Sequence, residues 1–167
     1  MLVFYFSLGS PWNWQRGDRL KVARINIRTT DGETLGLQEA MLVKDKGIEG
    51  DKNAKGGERQ LSLLPLKVRE DIEKEEITGL CIPRFTENIT HTDDARFKEG
   101  ERYTMGEAVI EISGIRKKCF SQCENIIKNK PCTLVKSVIY AKIISTGIVG
   151  VNAEIQPFTG VESKAKL

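Results

Sequence analysis

Residues 97–113 read F-K-E-G-E-R-Y-T-M-G-E-A-V-I-E-I-S, and this stretch decides the fold class. A tight turn with two glycines leads into side chains that nearly alternate between apolar and polar from Ala108 to Ser113, which predicts a half-buried β-strand. Similar apolar or β-branched runs, each bounded by turn residues, recur along the chain. They predict further strands at residues 22–27, 37–43, 61–64, 134–144 and 148–155.

A helical pattern is clear only in residues 66–77. Apolar side chains recur there among charged ones, and opposite charges stand at helical spacings such as Lys67 and Asp71. Many short strands, Gly-containing turns and one convincing helix are typical of all-β architectures. We therefore predict a mostly β fold, arranged as a β-barrel with one or a few short helices.

The length and composition fit one globular domain. A chain of 167 residues can bury one substantial core but is too short for two well-packed domains. A hydrophobic fraction of 40% and a charged fraction of 29% exclude disorder as the global state. We predict an N-terminal extension or arm at residues 1–20, a barrel domain at residues 21–155 and a C-terminal tail at residues 156–167.

The first residues carry an unusual apolar run at positions 2–8. No basic residue precedes it and no small-residue cleavage site follows, so it fails as a secretory signal, and it is far shorter than the roughly 18 residues of a membrane span. We expect a cytoplasmic protein without membrane contact, in which the run is an extra strand, an arm or a product of an upstream start codon. The alternative is an oligomer-forming arm anchored by Trp12 and Trp14, which would give a homodimer.

A glycine-rich loop is the first candidate for ligand binding. The net charge of +3 is too small to predict nucleic-acid binding, but it leaves room for a locally basic groove. Residues 44–60 contain four glycines and almost no apolar side chain, and loops of this length are usually functional or mobile. Their backbone amides could hold an anion together with Lys44, Lys52, Lys55 and Arg59. A solvated surface loop is the alternative.

The second candidate is a cysteine-rich stretch. Residues 114–132 read G-I-R-K-K-C-F-S-Q-C-E-N-I-I-K-N-K-P-C. They hold three of the four cysteines of the chain, Cys119, Cys123 and Cys132. Arg116, Lys117 and Lys118 stand directly before the first of them. A nearby positive charge favours the thiolate, which is both the nucleophile and the metal ligand, so sulfur chemistry is expected here.

Three other interpretations of these cysteines stay open. Zinc could be held by the three cysteines with Cys81 or His91 as the fourth ligand, although structural zinc sites usually have closely paired ligands on both sides. Two of the thiols could form a disulfide, but reduced thiols in a cytoplasm suit a chain of this size and cysteine content better. The cysteines could also be purely structural, as we expect for Cys81 between Leu80 and Ile82.

Four sequence blocks, in this order, resemble the MOSC domain, the module named for the C-terminal part of molybdenum cofactor sulfurase. The blocks are G-I-E-G-D at residues 47–51 with R-Q-L-S-L-L at 59–64, F-T-E-N-I-T at 85–90, F-K-E-G-E-R-Y-T-M-G at 97–106, and I-S-G-I-R-K-K-C at 112–119. Together they cover roughly residues 21–155. The chain is similar in particular to small stand-alone bacterial MOSC proteins, in which a Cys-xxx-Cys pair and a later Cys precede the final strands.

The resemblance implies a β-barrel that binds the molybdenum cofactor or handles sulfur for it. In the family, a reactive Cys carries sulfur or ligates molybdenum, and basic residues hold the cofactor's phosphate. The implied catalytic or metal-ligating residues are Cys119, Cys123 and Cys132, without a choice among them. The implied cofactor contacts are Arg59 at the Arg-Gln position, Asn88 in the Glu-Asn-Ile-Thr block, and the cations Lys55, Arg116 and Lys118.

Such a chain would be a molybdenum-cofactor-dependent oxidoreductase or a sulfur-transfer protein that works with a sulfur donor or acceptor protein. The alternative is a non-catalytic module that holds the pterin cofactor or a zinc ion. Pyridoxal phosphate belongs to a separate aminotransferase-like domain of full-length sulfurases, and this sequence shows no such domain, so we expect none here. Asn53 stands where relatives often have a His, and Val151 and Asn152 replace a Gly-Asp pair.

Overall fold

The computed structural model describes residues 19–92, 97–114 and 118–160. Residues 1–18 of the predicted arm, with Trp12 and Trp14, lie outside the described residues, and so does Arg116. The strands are β1 (Val22–Arg28), β2 (Thr34–Leu37), β3 (Glu39–Val43), β4 (Gly47–Ile48), β5 (Leu61–Pro65), β6 (Ile89–His91), β7 (Arg102–Met105), β8 (Ala108–Gly114), β9 (Ile139–Ser145), β10 (Gly147–Gly150) and β11 (Ile155–Pro157). The helices are α1 (Leu66–Glu73), α2 (Glu124–Ile127) and α3 (Thr133–Ser137), with a short 3-10 turn at Ile82–Arg84.

The strands form two sheets. The larger is an eight-stranded mixed sheet in the order β11-β7-β8-β9-β5-β6-β1-β2, and the smaller has the order β10-β3-β4. β5 and β6 are parallel, while the other pairs of described strands are antiparallel. A parallel pair needs a long crossover, and α1 with the 3-10 turn supplies it. This crossover delivers the chain to β6 beside β5.

The predicted closed barrel is wrong for the described strands. Closure requires the two edges of the sheet to pair with each other. β2 pairs with β1 alone and β11 with β7 alone, so both remain edges. An isolated bridge between Lys21 and Glu154, with backbone hydrogen bonds such as that from the Ile155 N–H to the Leu20 carbonyl, brings the start of β1 towards β11. The mostly β prediction with a few short helices is confirmed.

The main core lies between the two sheets and follows from the alternation in the sequence. In β8 the side chains of Ala108, Ile110 and Ile112 are fully buried, while Val109 and Glu111 between them are partly exposed. Met105 and Ile143 on the neighbouring strands β7 and β9 are also fully buried. The strand predicted at residues 108–113 is therefore confirmed, with its apolar face in the core.

A second, smaller core packs under the helices. It is made of Leu64, Val68, Cys81, Ile82, Leu134 and Val138. Leu134 and Val138 stand four residues apart, so the first part of the predicted strand at 134–144 forms α3 and turns both side chains into this core. The predicted burial of Cys81 is confirmed, since it is 9% exposed. No helix in the described parts of the chain is long and apolar enough to cross a membrane.

The helix predicted at residues 66–77 is shorter than expected. α1 ends at Glu73, and Glu75 adopts a positive φ of 59°, which cannot continue a right-handed helix. The strand predicted at 37–43 is divided between β2 and β3, which belong to different sheets. The end of β11 crosses the predicted boundary of the tail at residue 156 and pairs with β7.

Candidate functional site

A polar cleft of about 220 Å³ lies beside β1, β5 and the start of β6. It is lined by Asn26, Ile27, Arg28, Asp51, Asn53, Arg59, Ser62, Arg84, Phe85, Thr86, Glu87, Asn88 and Tyr140. Three of the sequence blocks, at residues 47–51, 59–64 and 85–90, therefore meet in one place. The residues are far apart in the chain, and the sheet order brings them together.

Asn88 organises this cleft. Its side-chain Oδ1 accepts hydrogen bonds from the backbone N–H and the hydroxyl of Ser62, both at 3.1 Å. Its Nδ2 donates to an Asp51 carboxylate oxygen at 2.7 Å and to the Asn26 carbonyl at 3.3 Å. The predicted cofactor contact is thus placed at the cleft, but its amide is occupied by the protein. Asn88 fixes the positions of Asp51 and Ser62 rather than offering free hydrogen-bonding groups.

A buried ion pair between Arg69 and Glu87 stabilises one wall of the cleft. The Glu87 side chain is fully buried, and both of its carboxylate oxygens accept hydrogen bonds from Arg69 Nε at 3.1 Å. Arg69 also donates through Nη2, and the Thr90 hydroxyl donates to Glu87 at 2.6 Å. A buried carboxylate needs partners of this kind, because an unpaired buried charge is costly. The pair fixes the backbone that presents Asn88.

Arg59, which the family resemblance implies as a cofactor contact, lines the cleft. Its guanidinium Cζ stands 4.7 Å from the centroid of the Tyr140 ring, an arrangement that favours the cation. Arg59 is exposed, and among the described residues its guanidinium has no carboxylate partner. It is therefore held at the wall of the cleft by an aromatic face, with its hydrogen-bond donors available to a ligand.

Two further arginines line the cleft and were missed by the sequence analysis. Arg28 donates to the carbonyl of Gly32 at 2.8 Å and to that of Arg84 at 3.1 Å, so it ties β1 to the 3-10 turn. The Arg84 side chain is exposed at the same cleft. Its position directly before Phe85 and the Glu-Asn-Ile-Thr block was the signal that could have found it.

The glycine-rich loop folds back on itself at two glycines. Gly56 has a φ of 76°, and a Cβ there would come within 2.7 Å of the Asp45 carbonyl oxygen. A Cβ on Gly47 would come within 2.8 Å of the Ala54 side chain. The fold of the loop brings Asp51 and Asn53 to the cleft, whereas Lys55, a predicted contact, is exposed and is not among the residues that line it.

The cysteine loop, residues 118–132, contains Cys119, Cys123 and Cys132. Cys123 is 2% exposed and directly precedes α2. Its sulfur accepts hydrogen bonds from the backbone N–H groups of Leu80 and Asn125 and from the Cys119 thiol. These donors stabilise the anion and lower the pKa of Cys123 below the usual cysteine range, with the Leu80 N–H as the largest cause.

Cys119 has the opposite character. It is half-buried, and desolvation raises the pKa of its thiol. The hydrogen bond to the Cys123 sulfur raises that pKa further. Cys123 is therefore the more acidic thiol of the two. Backbone N–H groups, rather than the neighbouring cations expected from the sequence, are the larger cause of the lowered pKa of Cys123.

Tyr140 connects the cysteines with the cleft. It lines the cleft and also packs against the second core, which contains Cys81 and against which Cys132 packs as well. Burial raises the pKa of Tyr140, and the charge of Arg59 opposes that shift. No sequence pattern singles out Tyr140, since it lies within an apolar run and its partner Arg59 comes from a distant segment.

The remaining predicted site residues of the described chain do not line the cleft. Lys118 is exposed beside Cys119 and does not line the cleft. In the described part of the chain, no three His, Cys, Asp or Glu side chains are placed to hold a metal ion. His91 is buried and packs edge-on against Phe97 at 5.5 Å. The roles of Cys119, Cys123 and Cys132 as metal ligands stay a prediction.

Comparisons with known proteins identify the fold. No family model matches the chain, and no curated protein matches it. Among solved structures, YuaD from Bacillus subtilis is 18% identical with a TM-score of 0.58, covering 81% of this chain and 93% of YuaD. YiiM from Geobacillus stearothermophilus is 16% identical with a TM-score of 0.53, covering 83% and 75% of the two chains.

YiiM from Escherichia coli is also similar, at 22% identity with a TM-score of 0.52, covering 86% of this chain and 70% of that protein. Identities at this level establish a shared architecture and leave the activity open. The fold of this chain is similar to that of YuaD and YiiM, which are small stand-alone MOSC-domain proteins.

Proposed function

We propose that this protein binds the molybdenum cofactor in the cleft organised by Asn88 and carries sulfur on a cysteine of the neighbouring loop. The observation that carries the proposal is Tyr140, whose ring lines the arginine-rich cleft and packs against the small core that contains Cys81, against which Cys132 also packs. The Tyr140 side chain therefore belongs both to the cleft and to the surroundings of a core that contains one thiol and contacts another. The similarity in fold to MOSC-domain proteins supports the same function.

The groups in the cleft suit the cofactor's chemistry. A phosphate is recognised best by guanidinium groups, and Arg59 and Arg84 present theirs at the surface of the cleft. A pterin ring offers a hydrogen-bonding edge, for which Asp51 and Asn53 supply acceptor and donor groups. Phe85 adds an aromatic side chain to the lining.

The protein's own residues bind and orient the ligand. Asn88 and the Arg69–Glu87 pair keep the cleft in shape before any ligand arrives, so less ordering is needed on binding. Arg59 is placed by Tyr140 rather than by a carboxylate, so its charge is not already neutralised. When bound, the cofactor supplies a molybdenum centre that accepts thiolate sulfur, which explains the value of a cysteine nearby.

The test is the cofactor content of protein purified from a host that makes the cofactor. We expect molybdenum and the oxidised pterin fluorophore in the wild-type protein. Arg59→Ala should reduce retention about tenfold or more, because a hydrogen bond to a charged group contributes about 1.5–3 kcal/mol. Lys55→Ala is the matched control, since Lys55 is an exposed cation of the same loop that does not line the cleft.

Two results would contradict the proposal. The first is a wild-type protein that contains neither molybdenum nor pterin and binds no extracted cofactor when it is supplied. The second is equal loss of cofactor in Arg59→Ala and Lys55→Ala, which would mean that overall charge, rather than the cleft, holds the ligand.

A further inference from the structure

We propose that Gln60 is the positioning residue for Arg59. Its buried side chain takes the place that the Arg59 backbone would have in the sheet, and this turns the Arg59 guanidinium from the core to the cleft. The role of that guanidinium as a phosphate contact rests on the proposed function. The placement of Arg59 by Gln60 goes beyond it, because it names the residue that decides which face of the sheet carries the charge.

The register between β5 and β9 shows where the Arg59 backbone would lie if the strand began earlier. Leu61 is the first residue of β5 and pairs with Ala141 on β9. Two residues before Leu61, the same antiparallel register would place Arg59 opposite Ile143. The backbone of Arg59 has therefore left the ladder at the point where Ile143 still continues β9.

The Gln60 side chain occupies the place that Arg59 leaves. Gln60 is 7% exposed, and its Oε1 accepts a hydrogen bond from the Ile143 N–H at 2.9 Å. Its Nε2 donates to the Gly57 carbonyl at 2.8 Å, and the Asp45 N–H donates to the Ile143 carbonyl at 3.3 Å. Both backbone groups of Ile143 are therefore satisfied without Arg59, as a buried position in a sheet requires.

This exchange decides which face of the sheet receives the Arg59 side chain. Side chains two residues apart on a strand point to the same face. Leu61 and Leu63 are fully buried in the main core, so an Arg59 that continued β5 would direct its charge into that core. An unpaired buried charge is costly, so the strand has to end before Arg59.

The opposite face of the same strands carries the cleft. Ser62 and Tyr140 lie across from each other in the β5–β9 pair, and both line the cleft. Arg59 lines it with them, and its Cζ stands 4.7 Å from the Tyr140 ring centroid. Arg59 thus belongs to the face that strict alternation along β5 would deny it.

Contacts on the other side of Arg59 hold the chain in the same position. The Ser113 hydroxyl donates to the Glu58 carbonyl, and the Lys142 ammonium lies 3.3 Å from a Glu58 carboxylate oxygen. Arg59 is therefore fixed through both of its neighbours in the chain. Ordering a long side chain during binding costs affinity, so an arginine that is already in place binds a ligand more tightly.

The experiment is a double-mutant cycle on the full chain, with Gln60→Met, Arg59→Ala and the two together, produced in a host that makes the molybdenum cofactor. Gln60→Met keeps the length of the side chain and removes both of its hydrogen bonds. Retained cofactor is measured as the oxidised pterin fluorophore. In chain produced without cofactor, NMR measures the Arg59 side-chain protons, which the Tyr140 ring shifts upfield.

We expect Gln60→Met to lose most of the upfield shift and to retain about fivefold less cofactor, because the ligand must then order Arg59 itself. The double variant should retain as much cofactor as Arg59→Ala alone, since Gln60 acts through Arg59. Ile155→Val is the control for lost stability, because it truncates a main-core side chain on β11, which β7 and β8 separate from β9. It should leave both readouts unchanged.

The outcomes separate this inference from the proposed function. Arg59 protons that keep their upfield shift in Gln60→Met would overturn the inference, and the cofactor cleft would stand if Arg59→Ala still lost its ligand. A double variant that retains less cofactor than Arg59→Ala would also overturn it, because Gln60 would then act by another route. A wild type without cofactor, with the shift lost in Gln60→Met, would overturn the proposed function alone and support the placement. If Gln60→Met does not fold, Gln60→Asn, whose amide is too short to reach Ile143, gives the same comparison.

Discussion

The cleft and the cysteine loop are built in different ways. In the cleft, Asn88 bonds to residues that stand 26, 37 and 62 positions away, namely Ser62, Asp51 and Asn26. In the loop, the described backbone hydrogen bonds of Cys123 reach only to Phe120, Ile126 and Ile127. The cleft is therefore a product of the sheet, whereas most of the loop's geometry is local.

Because of this difference, we expect ligand binding and thiol reactivity to respond to substitutions in different regions. The cleft residues also hold the fold together, so changing them should alter stability and binding at once. The loop carries exposed apolar side chains, with Ile127 at 70% and Ile126 at 50% exposure, and contributes little to either core. Changes there should alter thiol reactivity with little effect on stability.

The largest expected effect is that of Arg69→Met. The substitution leaves the fully buried Glu87 carboxylate without its main partner, which should lower the free energy of unfolding by about 3–5 kcal/mol. Arg24→Met is the matched control in the exposed Arg24–Glu73 pair and should cost about 1 kcal/mol or less. Urea unfolding followed by circular dichroism measures both. Equal losses in the two variants would show that the ion pair under the cleft has no special role.

Asn88→Ala should have the second largest effect. It removes the amide that bonds to Ser62, Asp51 and Asn26, and leaves those groups partly unsatisfied, so we expect a loss of about 2 kcal/mol. Cofactor retention should fall in parallel, because Asp51 loses the partner that positions it. Asn125→Ala removes a single hydrogen bond, from the Asn125 side chain to the Thr78 carbonyl. It should lower the free energy of unfolding by at most about 1 kcal/mol. Similar losses would contradict the distinction between the regions.

The fold could be predicted where burial follows a simple period. The strand at residues 108–113 alternates as expected and lies in the main core. The apolar run at 134–144 could not be divided in advance, because Leu134 and Val138 fit a helix as well as a strand. The prediction of a closed barrel was wrong because closure requires the edge strands β2 and β11 to pair with each other. No local sequence pattern encodes such a pairing.

The site was predictable in part. Arg59 and Asn88 were identified by their sequence blocks, and the structure brings both to one cleft. The internal role of Asn88 was not predictable, since its partners come from β1, β5 and the glycine-rich loop. The difference in pKa between Cys119 and Cys123 was not predictable either. The largest cause of the lowered pKa of Cys123 is the N–H of Leu80, which lies in the segment before the 3-10 turn.

The Cys123 pKa provides a prediction about pH. In Cys119→Ala the backbone N–H donors remain, so the rate of Cys123 alkylation by iodoacetamide should reach half of its plateau below the ordinary cysteine pKa of about 8.5. The reagent reacts with the thiolate, so a lowered pKa moves the midpoint to lower pH. Peptide mass spectrometry over a pH series measures it, with the urea-unfolded chain as the control. A midpoint at or above that of the unfolded chain would contradict the assignment.

The smallest expected effect is that of Ile127→Ala at the end of α2. The side chain is 70% exposed, so its removal should change the free energy of unfolding by no more than about 0.5 kcal/mol. The backbone bond from the Ile127 N–H to the Cys123 carbonyl, at 3.0 Å, does not depend on that side chain. The pH profile of Cys123 alkylation should therefore stay the same. A shifted profile would mean that apolar packing, and not backbone hydrogen bonding, sets the state of this thiol.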